Sequence, residues 1–334
     1  MSQRGQDSGR YRRNAEQEAA RRRAIDDAAS RYNITDLVAR TRAVRRAGRA
    51  HVALCAFHHE RSPSMHLYDS QGRYHCFGCG ADGDVIDYVM RTERLGFFDA
   101  LRFLGAADLP EVDPAQRAVA AAEDEAERQE AIAEARAIWN SASPAARTPA
   151  EAYARSRGIV AALPPSIRFG RTYAWRDRDT GELGPSHSAM IGGVVDAAGA
   201  LIGLQRIFIK DDGSAKLWGK RSKRSLGRVR GGALRLGPPA SEVILCEGPE
   251  DGLTLMQELP GRSVWVALGT DMMPAIELPL PITKVTLAGD NDAAGQAAIE
   301  RAGLALEGRG YAVGTMFPRR GFKDFNDQLR GIRQ

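Results

Sequence analysis

Apolar and polar positions change period along this chain, and the changes mark out its parts. From Glu242 onward, short apolar runs alternate with longer amphipathic stretches: EVILCEG, EDGLTLMQEL, SVWVALG, KVTLAGD, DAAGQAAIERAGLALEG and YAVGTMF. Runs of this length, ending on Gly or an acid and followed by helical spacing, predict βα units on a mostly parallel sheet. Residues 167–236 instead carry SAMIGGVVD and ALIGLQRIFIKDDG with glycine turns between them, which predicts a β-rich region. Residues 114–140 are rich in Ala, Glu and Arg and read as a solvated helix; SASPAARTPA punctuates its end. Helical spacing recurs at Val85, Ile86, Val89, Phe98, Leu101 and Leu104, and a short helix is expected over residues 25–41. Residues 1–24 have few apolar anchors and read as a disordered basic tail. There is no internal repeat.

The expected fold is therefore multidomain α/β. The tail (1–24) leads into a small Cys/His domain (25–110) and a helical linker (111–150). A mixed α+β, basic subdomain (151–240) and a largely parallel α/β domain (241–330) follow. With 334 residues, 43% of them hydrophobic, the chain can bury several cores. No apolar run reaches the roughly 18 residues of a membrane span, so a cytoplasmic location is expected.

Charge is more informative by region than in total. The net charge is +5, but residues 1–50 carry 13 Arg against 6 acids, and residues 206–235 carry 10 Lys and Arg against 2 acids. Residues 241–334 carry 9 basic residues against 13 acids. Basic blocks invite a polyanion, whereas an acidic domain repels one unless divalent cations intervene.

Of the four cysteines, three sit in CAFHHERSPSMHLYDSQGRYHCFGCG, as Cys55-x2-His58 and Cys76-x2-Cys79. Two close pairs can meet at one tetrahedral Zn²⁺, and four protein ligands leave no open position, so the metal would be structural. His59 is a competing ligand through a Cys-x3-His pair; His66 and His75 read as surface or core residues. Arg45, Arg46, Arg49, Arg73 and Tyr74 could line a surface for single strands, while Phe77 is expected to pack the ribbon's core.

Acids gather where strands should end. LCEGPEDGL places Glu247 after a strand and Asp251 one helical turn on; VTLAGDNDAAG adds Asp290 and Asp292; FKDFNDQL adds Asp324 and Asp327. Crowded carboxylates raise one another's pKa unless a cation neutralises them, and oxygen ligands select Mg²⁺ or Mn²⁺. Asp292 could equally be a helix cap.

EGPEDGL, ALGT, GDNDAAG and KDFND resemble the successive motifs of Toprim domains. CAFHHERSPSMHLYDSQGRYHCFGCGADGDVIDYV is similar to the N-terminal zinc ribbon of bacterial and phage DNA primases, with Ala56 where proline is usual. AYARSRGI, IRFG and AKLWGKRSKRSLG resemble the basic half of the primase core, in the form found in phages and mobile elements. The resemblance, over about residues 30–330, implies synthesis of short RNA primers on single-stranded DNA from ribonucleoside triphosphates. It implies a catalytic role and Mg²⁺ or Mn²⁺ binding for Glu247, Asp290, Asp292 and Asp324. Arg206 and Lys216 would guide template or nucleotide, with Lys220 and Lys223 as additions. Asn326 stands where many primases have a second acid. A G-x4-GK[ST] motor motif is missing from the sequence, and Gln334 follows too closely for a helicase-docking domain, so a separate replicative helicase is expected. The competing readings are a Toprim nuclease and a non-catalytic single-stranded-DNA or origin-binding protein.

Overall fold

The computed structural model describes residues 27, 31–48, 50–106, 113–177 and 180–333. The expected disordered tail and Arg49 lie outside these residues. The chain divides into two compact units, 1–126 and 127–334.

In the first unit, α1 (Ile34–Ala39) precedes a five-stranded sheet: β1 (Val44–Ala47), β2 (Ala50–Ala53), β3 (Met65–Tyr68), β4 (Arg73–Cys76) and β5 (Asp82–Asp84), paired antiparallel in sequence order. The helix expected over 25–41 is not continuous. Asn33 is extended (φ −78°, ψ 136°) and its side-chain amide donates to Asp36 at 3.2 Å, so a new helix begins at Ile34. The helical spacing of 85–104 likewise resolves into two helices, α2 (Val85–Thr92) and α3 (Phe97–Ala106). Asp84 opens α2 with a capping box, accepting from the backbone N–H of Ile86 and Asp87. Arg94, at φ 57°, turns the chain between the two helices.

The second unit carries two sheets. After α4 (Pro114–Ser141), which starts in the first unit, come β6 (Ser143–Pro144), α5 (Pro149–Ser156), β7 (Ile167–Tyr173), β8 (Ser186–Val195), β9 (Leu201–Phe208) and β10 (Lys223–Gly227). These strands form an antiparallel sheet in the order β10-β9-β8-β7-β6. The basic stretch around Lys223 is thus an edge strand, in register with β9 through Lys223 opposite Ile207 and Arg224 opposite Arg206.

The remaining elements are β11 (Leu234–Leu236), β12 (Glu242–Cys246), α6 (Pro249–Glu258), β13 (Ser263–Val266), β14 (Lys284–Ala288), α7 (Ala293–Glu307), β15 (Ala312–Met316) and α8 (Phe325–Arg330). The second sheet runs β11-β13-β12-β14-β15, with β11 antiparallel on the edge and the other four strands parallel. Alternate residues of β12 enter different cores. Val243 and Leu245 pack with Val285, Leu287, Ile299 and Leu306; Ile244 and Cys246 pack with Leu253, Val264 and Val266. The sheet is therefore covered on both faces, which explains why its strands read as continuous apolar runs.

Gly252 lets α6 lie directly on this sheet. A Cβ there would sit 2.5 Å from Val266 Cγ2 and 3.0 Å from Leu236 Cδ1. Gly252→Ala gains helix propensity of up to about 1 kcal/mol but overpacks a core, at a cost of about 1–3 kcal/mol. We expect a net loss of stability, recovered in Gly252→Ala/Val266→Ala. Denaturant unfolding of the single and double variants checks this, and a Gly252→Ala protein as stable as wild type contradicts it.

Candidate functional site

The turn after β2 and the turn after β4 bring Cys55, His58, Cys76 and Cys79 together, with one ligand atom from each within 4.8 Å of the others. Cys55 Sγ and Cys79 Sγ lie 3.8 Å apart, as do Cys76 Sγ and His58 Nδ1. The edge of a tetrahedron with Zn–S bonds of about 2.3 Å is about 3.8 Å, so the spacing fits the ion that this donor set prefers. The surroundings support the ligands. Backbone N–H groups of Phe57 and Gly78 point at Cys55 Sγ (3.3 Å) and Cys76 Sγ (3.4 Å). His58 Nε2 is 3.3 Å from Glu60, which also accepts from Cys55 N at 2.7 Å and from Ser64. Glu60 thus turns the other imidazole nitrogen toward the sulfurs. Gly78 admits no side chain, since a Cβ would fall 2.6 Å from the His58 ring. Burial pushes the Cys55 thiol up, to about 12, a cost that a bound dication reverses. His59, His66 and His75 are not in this group.

Tyr74, named above as a candidate surface residue, is instead fully buried, tilted against Phe57 at 5.5 Å and edge-on to Tyr88 at 5.7 Å. That aromatic trio fills the interior and leaves no room for Phe77. Phe77, expected in the core, is 54% exposed, edge-on to His66 and His75. Arg45, Arg46 and Arg73 are exposed, Arg73 pairing with Asp82.

In the second unit, Glu247 follows β12 and Asp290 follows β14, neighbouring parallel strands in which Cys246 lies beside Ala288. Backbone bonds from Leu268 N to the Glu247 carbonyl (2.9 Å) and from Ala267 N to that of Cys246 (2.8 Å) hold the first turn to the ALGT segment. The Asn291 side chain donates to the carbonyls of Pro318 and Phe322, and Asn291 N donates to that of Lys323, which ties Asp290 to the loop leading to Asp324. Asp292 caps α7 by accepting from Gly295 N at 2.8 Å, and its other oxygen is 3.7 Å from Lys323 Nζ. Asp324 caps α8 in the same way.

These acids influence one another electrostatically. Burial raises Asp290 to about 6, helped by Glu247, Asp324 and Asp292. Burial raises Asp251 to about 7, helped by Asp324, Asp290 and Glu250, against a hydrogen bond from Asn326 N. Burial raises Glu247 as well, with Lys223 and Lys323 opposing. Among the described residues no three of these acids bring ligand oxygens together as the zinc quartet does, so a hard divalent cation would have to draw them in. Asn326 plays a different part. Its amide donates to Arg157 O and Thr254 Oγ1, joining α8 to α6 and to the end of α5.

The basic residues named from sequence take unexpected places. Arg206 is buried, donating to Tyr173 O at 2.8 Å, and burial lowers it to about 10. Lys216 Nζ and Lys223 Nζ bind opposite oxygens of Glu250, at 2.6 and 2.9 Å. Tyr153 donates to the same carboxylate at 2.8 Å. Lys220 falls in the 3₁₀ turn Gly219–Ser222. Glu250 was missed in the sequence because nothing local separates it from an ordinary acid in a helix's first turn. A buried acid amid two distant lysines is a purely tertiary fact.

Comparison with known proteins follows the same division. Residues 20–118 match the CHC2 zinc finger, 129–236 a domain of unknown function (DUF7146) and 242–332 the Toprim domain. In class, then, the chain carries one segment similar to a CHC2 zinc finger and another similar to a Toprim domain. Among particular proteins, the DNA primases of Lactococcus lactis and Helicobacter pylori are 42% and 43% identical over 72 residues, 22% of this chain. The alignments span 11% and 13% of those relatives' own length. A crystal structure of the zinc-binding and RNA polymerase domains of Aquifex aeolicus primase aligns over 92% of this chain and 82% of its own, at 20% identity and a loose TM-score of 0.41.

Two expectations follow from the geometry. Glu60→Ala should weaken zinc binding about 10- to 100-fold, because it frees the imidazole while keeping all four ligands. Transfer of zinc to a chromophoric chelator measures this, and an unchanged transfer rate rejects the role given to Glu60. For Asp251, the folded state holds its proton up to about pH 7, whereas the unfolded chain releases it near pH 4. Between these values the folded state binds more protons, so stability falls as pH rises. Asp251→Asn, which keeps an acceptor for Asn326 N, should stabilise the protein by on the order of 2 kcal/mol at pH 8 without added Mg²⁺ and by little at pH 5. Thermal unfolding at both pH values, with an equal shift at each, would count against it.

Proposed function

We propose that this chain is a DNA primase, building short RNA primers on single-stranded DNA from ribonucleoside triphosphates. One observation carries the reading. Acids stand at the ends of adjacent parallel strands in a Toprim sheet, on a chain that also carries a CHC2 zinc finger. In this reading Cys55, His58, Cys76 and Cys79 hold a structural Zn²⁺. Glu247, Asp290, Asp292 and Asp324 hold Mg²⁺ or Mn²⁺. When bound, that cation supplies the charge neutralisation and alignment that phosphoryl chemistry needs.

The chain's own residues do the rest. The capping bonds of Asp292 and Asp324 each occupy one carboxylate oxygen and fix the direction of the other. A primer 3′-oxygen forms a bond to the α-phosphorus of the next nucleotide, the bond from that phosphorus to the α–β bridging oxygen breaks, and pyrophosphate leaves with the electron pair. Glu247, raised by burial, accepts the hydroxyl proton. Template contacts fall to cations of the basic stretch that remain exposed, Arg221 and Arg224, rather than to the buried Arg206. Strand opening is left to a separate helicase.

The test incubates the full chain with single-stranded DNA, labelled ribonucleotides and Mg²⁺, reading primer yield beside template affinity. Asp290→Asn and Asp292→Asn should each reduce synthesis at least 100-fold, on the order of 3 kcal/mol of lost electrostatic stabilisation, and leave template binding intact. Asn at position 292 still caps α7. Arg221→Ala/Arg224→Ala should do the reverse, weakening binding and reducing its salt dependence. Template cleavage in place of extension would mark a nuclease. Wild-type synthesis by both Asn variants would make these acids helix caps alone.

A further inference from the structure

Glu250 is one residue before Asp251 and three after Glu247, and its Oε2 lies 3.9 Å from where a Cβ on Gly248 would sit, with Asp251 Oδ2 at 3.6 Å from the same point. It is 4% exposed, and both of its oxygens are taken by groups from outside its sheet: Lys216 Nζ and the Tyr153 hydroxyl on Oε1, and Lys223 Nζ on Oε2. Two ammonium groups on one carboxylate leave a surplus positive charge. The two lysines differ in what else they approach. Lys223 Nζ lies 3.3 Å from where a Cβ on Gly248 would sit, at the turn between Glu247 and α6, and it interacts electrostatically with both Glu247 and Asp251. Lys216 approaches Glu250 from the other side.

We propose that Glu250 is a positioning residue that keeps Lys223 off the carboxylates of the cation site. A half-buried ammonium beside Glu247 and Asp251 is a natural competitor for a divalent cation, since it satisfies the same oxygens from within the protein. Glu250 offers that ammonium a closer, fully desolvated partner. Lys223 is then held at the border of the site, where its charge remains near a bound polyphosphate while the metal ligands stay open. The Lys216 and Tyr153 contacts fix the Glu250 carboxylate in the rotamer that reaches Lys223. The inference rests on the reading of the acids as a divalent-cation site, and it goes beyond that reading by giving a role to an acid that touches no metal.

The test uses zinc-loaded full-length protein and titrates Mn²⁺ without nucleotide or DNA, following free Mn²⁺ by electron paramagnetic resonance. Primer synthesis is not the readout, so the inference can fail while the primase reading stands, and the reverse. Glu250→Gln should weaken Mn²⁺ binding about tenfold or more, as Lys223 turns to Glu247 and Asp251. Adding Lys223→Met should restore the affinity. Adding Lys216→Met, which changes net charge equally, should not. Should Glu250→Gln fail to fold, Glu250→Asp serves in its place: one methylene shorter, it keeps the charge but cannot span both ammonium groups. It should show the same loss and the same selective rescue. Unchanged Mn²⁺ affinity in the folded variant overturns the proposal. So does equal rescue by the two Lys→Met changes, which would reduce the effect to net charge.

Discussion

The second unit is organised around like-charge repulsion. Parallel strands β12 and β14 deliver Glu247 and Asp290 to one edge of a sheet, and α6 and α8 bring Asp251 and Asp324 to the same place. Burial strengthens the interactions there, and together with the neighbouring carboxylates it raises Glu247, Asp251 and Asp290. An arrangement like this opposes folding unless something offsets it. The surrounding elements do so in different ways: backbone N–H groups at two helix starts hold Asp292 and Asp324, Lys323 and Lys223 stand nearby, and two residues remain partly protonated near neutrality. In the proposed reading a divalent cation would complete the balance, drawn by the same charge density that destabilises the unliganded site.

The antiparallel sheet of the second unit serves that site more than it serves a separate surface. Its edge strand β10 and the loop before it send Lys223 and Lys216 to Glu250 on α6, while α5 sends Tyr153. This buried ionic cluster joins two sheets that also share one hydrophobic core, in which Ile167, Met190 and Ile207 pack with Leu234, Ile244 and Val264. Removing one partner from such a cluster leaves an uncompensated buried charge. The ribbon of the first unit solves a different problem. Its short strands pack one buried core with α1, α2 and α3, and the Cys/His quartet with its Glu60 and Ser64 supports ties together the turns at the strand ends.

Much of this was legible in the sequence because it is local. Paired Cys and His knuckles, apolar runs ending on acids, and amphipathic stretches between them are written within ten or fifteen residues. They identified the ribbon, the parallel sheet and the acids at its strand ends. The breaks at Asn33 and Arg94 were harder, since helical spacing continues across both, and only the backbone shows that the chain turns there. Phe77 misled for a related reason: aromatic residues usually pack inward, but Phe57, Tyr74 and Tyr88 had already filled the ribbon's interior.

The basic residues mark the limit. Sequence by itself determined that positive charge concentrates at 206–235 and that acids follow strands, because composition and period are properties of neighbouring residues. Only the tertiary structure decided which charges meet. Arg206 points inward because its position in β9 faces the core beneath Tyr173 and Phe208. Lys216 and Lys223 end on Glu250 because β10 pairs with β9 and α6 packs close to that edge. A charge becomes a ligand, a counter-ion or a solvated surface group according to the dielectric and the partners around it, and those are set by residues far away in the chain.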